Sequence, residues 1–503
     1  MLSSPAVSRR SLPDCSRLPM VSAEVWHRFR ARLEEIGFTE EYAGRLTKVG
    51  DGMPGATGAP LRNWHARRLH EPAAWIARMF MLNDPVRAAD ARAALGPVLP
   101  DVLAEAGLIE PAGDDNVVSP FQLVVANELY FLCDDLTRGR DAVMGPGATT
   151  GVLWQASQPT HRAERILDLG CGAGNCALLL AGNASSVVGT DINPRAIALA
   201  KINATLNGIA NVEYREGDLL SPVADETFDL IVSQPPYFAR PRDFDERVYL
   251  FGGARGDELP LRILAEVPRY LNPGGRAVVL SQWPTLAGER LEDRIAAAVA
   301  PAGASVLLLR YAAHDLDNFA AHYAAVEHPD LGEDFARAAV RCREHLEEVG
   351  IRGLALGLVV VHRSAPETRW TGVVHVPQSD ADCVTSSRID KLVAAREMAA
   401  DARRLLDARL RVPLGAVFAR EYQLGATARP EVVARFPKGA LVGTIELGPS
   451  AQLLLTLLHE APDVRGAIQR FADDEKIAFD EAARKLLPPI REALLAGMLE
   501  PLR

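Results

Sequence analysis

The chain has 503 residues, too many for one ordinary domain, and 48% of them are hydrophobic, which suffices for more than one core. A formal charge of −10 argues against a protein that coats nucleic acid, and no apolar run reaches membrane-spanning length. The six cysteines (Cys15, Cys133, Cys171, Cys176, Cys342, Cys383) lack metal-like pairing, so no metal site is expected and a reduced, cytoplasmic setting is the plain reading.

Residues 1–22 are rich in Ser, Pro and Arg without the apolar core of a signal peptide, and are expected to be a disordered tail. Residues 23–140 form a mostly helical first domain. Val25–Ile36 repeats apolar residues at helical spacing, a Gly-, Met- and Pro-containing loop is expected at 49–60, and further helices at 72–82, 84–95 and 98–107. The last ends in Gly107-Leu-Ile and leads into alternating strands around 115–132, a winged-helix-like order. A helical cap over an active site is the preferred reading of this domain, ahead of DNA binding. His65 and His70 lie among arginines with no third ligand at suitable spacing, so they read as surface or lid residues.

The central stretch is Arg165-Ile-Leu-Asp-Leu-Gly-Cys-Gly-Ala-Gly-Asn-Cys-Ala-Leu-Leu-Leu-Ala181. Ile166–Leu169 reads as a buried strand; Gly170, Gly172 and Gly174 make a tight turn into a helix beginning near Asn175. Glycine serves where backbone must lie against a ligand, and a strand, a glycine turn and a helix start together make a nucleotide-binding loop. Asp168 stands two residues before the turn, within reach of a cationic amino group. A second strand, Val187–Thr190, ends in Asp191 and Ile192, where an acidic residue accepts hydrogen bonds from ribose hydroxyls. A helix opening at Asn193-Pro194 runs to about Asn207. The third strand, Val212–Arg215, leads to Asp218 and Leu219; the fourth, Phe228–Ser233, ends in Gln234-Pro-Pro-Tyr237. Four strand ends bearing polar or turn residues describe one edge of a parallel sheet with its ligand crevice.

Over roughly residues 140–363 these motifs resemble a class I S-adenosylmethionine-dependent methyltransferase, and the Gln-Pro-Pro-Tyr loop is similar to the Asn-Pro-Pro-Tyr signature of the glutamine- and amine-methylating group. The resemblance implies a Rossmann-like, seven-stranded α/β domain at 141–365 that uses S-adenosyl-L-methionine. It assigns Asp168, Gly170, Gly172, Gly174, Asn175, Asp191, Ile192, Asp218, Leu219 and Gln234 to the cofactor, with Asp218 beside the adenine. Asp141–Leu153 either crosses over the cofactor, with Thr149 and Thr150 on its carboxylate, or is only a compact linker. Gln234, Pro235, Pro236 and Tyr237 are the catalytic candidates. The prolines stiffen the turn, the tyrosine gives a face to a planar substrate, and the amide accepts a hydrogen bond that aligns the nucleophile. Gln in place of Asn moves that amide by about one methylene, at a site needing reacting atoms about 3–3.5 Å apart.

Phe238–Phe251 is a charged excursion expected to cover the substrate, and Gly252–Leu259, a helix to Leu271 and the Pro-Gly-Gly turn lead into a fifth strand at Arg276–Ser281. Strands at Ala304–Tyr311 and Leu354–Arg363 flank about forty helical residues. That insertion is either an edge decoration or a wall of the acceptor pocket, in which Arg240, Tyr311, His314 and Tyr323 are substrate candidates. A Ser-Ala-Pro break at 364–366 closes the domain. Residues 366–503 read as a helix at Val393–Arg411, strands at Val412–Gln423 and Leu441–Leu447, and helices at Ser450–Leu458, Val464–Phe471 and Ile477–Leu495. This α+β region resembles winged-helix domains that capture peptides, and its equal numbers of acidic and basic side chains disfavour phosphate-backbone binding.

The function expected is methyl transfer to a nitrogen or oxygen of a protein or peptide. A small-molecule metabolite is the alternative acceptor. RNA or DNA bases, or an inactive cofactor-binding scaffold, rank lower, and a homodimer is compatible with the pattern.

Overall fold

Short apolar strands separated by helices assemble here into one twisted sheet, because the inner strands are buried on both faces and must be covered by the crossovers that follow them. The computed structural model describes residues 11–48, 55–244, 247–328, 331–364, 369–421, 431–440 and 442–502. The strands are β1 (Ala163–Leu169), β2 (Ala184–Asp191), β3 (Val212–Glu216), β4 (Phe228–Ser233), β5 (Leu271–Leu286), β6 (Ser305–His314), β7 (Ile351–His362) and β8 (Thr371–His375). Their spatial order is β8-β6-β7-β5-β4-β1-β2-β3. Strands β1 to β5 run parallel, whereas β7 is antiparallel to both β5 and β6. The order reverses between β1 and β4, the place where an open sheet parts at its carboxyl ends and leaves a crevice.

Two departures from the expected sheet concern its far edge. It is mixed, and it has eight strands, because Thr371–His375 pairs in parallel with β6 beyond the expected boundary at 365. An isolated five-residue strand carries no signal of which sheet it joins; only pairing decides that. Residues 365 and 366 of the Ser-Ala-Pro break lie outside the described residues. The fifth strand is longer than expected, since Leu271–Leu286 continues through the Pro-Gly-Gly segment with a register shift against β4.

Helices α1 (Ala148–Ser157), α2 (Asn175–Leu180) and α3 (Pro194–Leu206) cover one face of the sheet, packed on Ile166, Val187, Leu230, Val278 and Leu358. The opposite face buries Leu167, Val188, Phe228, Ile231, Val279 and Trp283.

The N-terminal region packs on α3 through a shared core of Trp26, Phe29, Phe80 and Leu132 with Leu199, Ile202 and Leu206. Its hairpin, Phe121–Ala126 with Leu129–Asp134, would leave the backbone of its second strand unpaired at this junction. Two asparagines one helical turn apart, Asn203 on α3 and Asn207 capping its end, fill that need. Asn203 accepts from Leu132 N (2.8 Å) and donates to Leu132 O (3.0 Å) and Ala173 O (2.9 Å); Asn207 accepts from Tyr130 N (2.9 Å) and donates to Tyr130 O (2.7 Å). The pair works as a side-chain substitute for a neighbouring strand.

Several N-terminal expectations are corrected. Of the supposed disordered tail, residues 1–10 lie outside the described residues, but 11–22 are fixed: Leu18 is fully buried and Arg195 donates to Pro13 O at 2.8 Å. Part of the 49–60 loop is the helix Gly55–Ala66, with Pro60 inside it; burial of Gly58 and Ala66 against its neighbours overrides weak local propensity. The helix expected at 84–95 starts only at Ala88, because Val86 and Arg87 pair as a strand with Val117 and Asn116.

In the C-terminal region the helix expected over Val393–Arg411 spans Ser386–Ala400, then breaks at Asp401, whose carboxylate accepts from Arg403 N and Arg404 N and starts Ala402–Leu406. Leu410–Arg411 instead pairs with Pro501 and Glu500. The strands near 412–447 are Val417–Glu421, Glu431–Arg435 and Thr444–Glu446, followed by helices Pro449–Glu460, Val464–Glu475 and Phe479–Leu495. Among the described residues no helix is long and apolar enough to cross a membrane.

Candidate active site

The glycine turn leaves β1 at Leu169 and is tied to β2 at once: Gly170 N and Cys171 N both donate to Thr190 O, at 2.8 and 2.9 Å. Gly174 is the position where glycine is obligatory. Its φ is 84°, and a Cβ there would lie 2.5 Å from the Tyr214 hydroxyl. Asp168 is buried beneath the turn and accepts from Ala177 N at 2.7 Å, in the first turn of α2. Burial pushes its carboxyl up to about 7, opposed by the Ala177 amide.

Asp191 ends β2 and holds the loop from the other side. Its Oδ2 accepts from Gly172 N and its Oδ1 from Asn193 N, both at 2.9 Å, while burial pushes the carboxyl upward. Ile192 is 57% exposed although large and apolar, and Leu219 lines the same cavity with a left-handed φ of 47°. Asp218 also lines the cavity; its carboxylate accepts from Arg262 at 2.9 Å. Asn175 donates to Met144 O at 3.2 Å, and its Oδ1 is buried without a partner.

At the end of β4, Ser233 donates to Leu169 O (2.8 Å), clamping β4 to β1 just before the Gln-Pro-Pro-Tyr loop. Gln234 Nε2 donates to the Thr149 hydroxyl at 2.8 Å. Burial pushes the Tyr237 hydroxyl up, and the Thr149 hydroxyl beside it acts in the opposite direction. Thr150 lines the same cavity and also accepts from Gly147 N at 3.2 Å, capping α1. The loop is backed by Gly252 and Gly256. A Cβ on Gly252 would fall 2.2 Å from Gly256 O and 2.5 Å from Pro236 O.

Of the cofactor and catalytic candidates all but Gly174, which the structure keeps for the turn itself, border one cavity of about 350 Å³ that runs from the glycine turn, Asp191, Ile192 and Leu219 to Gln234–Phe238. Its donor set suits an adenosyl group with a charged amino-acid tail. Two apolar side chains, Ile192 and Leu219, offer faces for a flat base, Asp191 and Asp168 are carboxylates, and the unpartnered Asn175 Oδ1 awaits a donor. No group of three His, Cys, Asp or Glu side chains suited to a metal ion occurs among the described residues.

The four substrate candidates are not brought to this cavity. Arg240 stacks over Phe251 and donates to Phe244 O. Tyr311 packs into the sheet core with its hydroxyl buried and unpartnered, and His314 is exposed at the end of β6. Tyr323 is 1% exposed and packs against Phe238, Phe244 and Phe251, so it backs the cavity wall without facing it. The helical insertion, Leu316–Glu327 and Glu333–Glu348, thus shares a small core with the excursion at 238–251, of which Asp245 and Glu246 lie outside the described residues.

The excursion expected to cover the substrate does reach the cavity, through residues not singled out as site candidates. Phe238, Arg247, Tyr249 and Phe251 border the cavity, and Arg247 and Tyr249 both donate to Leu136 O, binding the excursion to the N-terminal region. The Gly252-Gly253 pair was the available signal, because close backbone approach needs glycine on both sides of such a loop.

Comparison with known proteins agrees in part of the chain. Residues 160–305 match a family described as a methyltransferase domain, and residues 56–119 match a domain of unknown function (DUF7059). A release factor glutamine methyltransferase of Geobacter sulfurreducens is 37% identical over 158 residues, covering 28% of this chain and 55% of that protein. One of Xylella fastidiosa is 38% identical over 156 residues, covering 28% and 56%. A Methanocaldococcus jannaschii protein named for N5-glutamine methyl transfer is 37% identical over 132 residues, covering 25% and 64%. The chain spans little more than half the length of the first two relatives.

Proposed function

We propose that this chain, whose residues 160–305 match a methyltransferase domain family, is a class I S-adenosylmethionine-dependent methyltransferase that transfers a methyl group to a nitrogen of a protein or peptide acceptor. The observation that carries the reading is the single cavity joining the glycine turn and Asp191 to Gln234–Tyr237. Ile192 and Leu219 would hold the adenosine of the cofactor, and the same cavity reaches the Gln-Pro-Pro-Tyr loop, where an acceptor would be met.

When bound, S-adenosylmethionine would supply an electrophilic methyl on a sulfonium, with the nitrogen–carbon bond forming as the sulfur–carbon bond breaks, the electron pair staying on sulfur and the nitrogen's proton passing to water. The protein's part is alignment. Asp191 and Asn175 would hold the ribose and the amino-acid tail, Asp168 would offer its carboxylate to the cationic amine, and Asp218, engaged by Arg262, would contribute at the adenine edge. Gln234 Oε1 would accept from the acceptor's N–H, fixing the nitrogen while leaving its lone pair, which on an amide stands out of the plane, free for the methyl carbon. The stiff Pro235-Pro236 turn keeps the loop backbone in register, and Tyr237 gives the acceptor group a flat neighbour.

The relatives' names, release factor glutamine methyltransferase, favour a glutamine side chain in a protein. Phe238, Phe251 and Tyr249 along the cavity favour, as a second reading, a small flat metabolite. The flanking regions, each with short antiparallel strands beside a helical array, we read as winged-helix-like units that present the acceptor.

The test is incubation of the full chain with isotopically labelled S-adenosylmethionine and a bacterial release factor, followed by mass spectrometry of the glutamine-containing peptides. A labelled glutamine supports the protein reading. Label only in small molecules of an extract moves the acceptor to the second reading, and no transfer to either sinks the assignment. Gln234→Ala is expected to lose about 10²-fold in rate while cofactor affinity stays nearly intact.

A further inference from the structure

We propose that Thr149 is a positioning residue of the transfer, fixing the Gln234 amide so that Oε1 and not the NH₂ group faces the acceptor. The proposal rests on the reading of the chain as a methyltransferase and assigns Thr149 a task other than holding the cofactor's carboxylate.

Gln234 is one methylene longer than asparagine and has one more rotatable bond, so an unheld amide at the end of β4 samples several orientations and loses entropy on being ordered. A donor facing the acceptor would also occupy the lone pair that must attack the methyl carbon, whereas a carbonyl oxygen binds the acceptor's N–H and leaves the lone pair free. The two ends of the amide are therefore not equivalent for catalysis. What selects between them is the 2.8 Å bond from Gln234 Nε2 to Thr149 Oγ1. Gln234 borders the cavity, and its Oε1 has no protein partner among the described residues.

Thr149 is itself rigidly placed. It is the second residue of α1, whose start is capped by the bond between Gly147 N and the Thr150 hydroxyl. Its hydroxyl also lies beside that of Tyr237, so one group reaches both the first and the last residue of the Gln-Pro-Pro-Tyr loop. An oxygen that accepts from Nε2 keeps its own proton free for the side of the neighbouring Tyr237 hydroxyl. The structure thus compensates the extra methylene of Gln234 with a side chain 85 residues away in sequence.

The test compares Thr149→Val, which keeps the shape and removes the hydroxyl, with Thr149→Ser, which restores it. Two readouts are made on the full chain. In protein labelled with ¹⁵N only at glutamine, the Gln234 NH₂ pair is identified by its loss in Gln234→Glu. It is expected at a bonded position in wild type and Thr149→Ser and at the free-amide position in Thr149→Val. With a release factor as acceptor, Thr149→Val is expected to lower kcat about tenfold, with affinity for S-adenosylhomocysteine within about twofold and Thr149→Ser recovering most of the rate. An NH₂ signal unmoved by Thr149→Val overturns the proposal. So does a loss that falls on cofactor affinity instead of kcat, which would make Thr149 a cofactor ligand. If wild type transfers no methyl group at all, the activity reading fails, while the amide signal still decides whether Thr149 holds Gln234.

Discussion

Replacing Asn203 by Asp tests the junction between the N-terminal region and the sheet with almost no change of shape. The side chain is fully buried, so water does not repair what the substitution breaks. Oδ1 keeps the bond from Leu132 N, but the two N–H donors facing Leu132 O (3.0 Å) and Ala173 O (2.9 Å) become one oxygen. A buried carbonyl left without a donor costs about 1–3 kcal/mol, so two give about 2–6 kcal/mol, and we take about 3 because a protonated carboxyl can still serve one of them. At roughly 2–4 °C per kcal/mol for a unit of 150–250 residues, the melting transition falls by about 6–12 °C. The sign of its pH dependence is also fixed. Burial raises the new carboxyl above its unfolded value near about 3.9, so the stability it allows is complete below that value and is lost as pH rises through the folded value. Calorimetry at pH 4.5 and pH 8 is the assay, and the deficit is expected to be larger at the higher pH. A melting point within about 2 °C of wild type, or a deficit equal at both pH values, refutes the view that these bonds substitute for a strand.

Asp168, raised to about 7 by burial, is expected to lose its proton when a cationic ligand enters. S-adenosylmethionine affinity should then rise about five- to tenfold from pH 6 to pH 8 with proton release in calorimetry, and Asp168→Asn should flatten both. The same carboxyl contributes stability that is complete below its unfolded value and is lost as pH rises through about 7, so Asp168→Asn should also flatten the pH profile of melting. Asp191→Ala removes a carboxylate that braces Gly172 and Asn193, and roughly ten- to hundredfold weaker cofactor binding is expected; unchanged affinity would move the ribose contact elsewhere. Gly252→Ala forces a methyl to within 2.2 Å of Gly256 O, so turnover should fall about 10²-fold while calorimetric cofactor binding changes little; normal turnover would show that the loop is not seated by that contact.

The amino-acid sequence by itself determined the parts of this protein whose physics is local. The glycine turn, Asp191 and Gln234-Pro-Pro-Tyr237 were legible because a strand end, a positive φ and a proline-stiffened turn each constrain only a few neighbouring residues. Helices 450–458 and 464–471 were legible for the same reason: apolar spacing at helical period needs no partner to be recognised. What the tertiary structure alone decided are pairings between distant segments. It sent Thr371–His375 to the edge of the sheet, turned Asn203 and Asn207 into a substitute strand, drew Leu18 into a core, and set Thr149 against Gln234. It also withheld Tyr311, His314 and Tyr323 from the cavity, although their polar rings beside a long insertion suggested a pocket wall. A side chain's type says which bonds it can make, but its partner is fixed only when the chain closes the distance, and no spacing along the sequence encodes that closure.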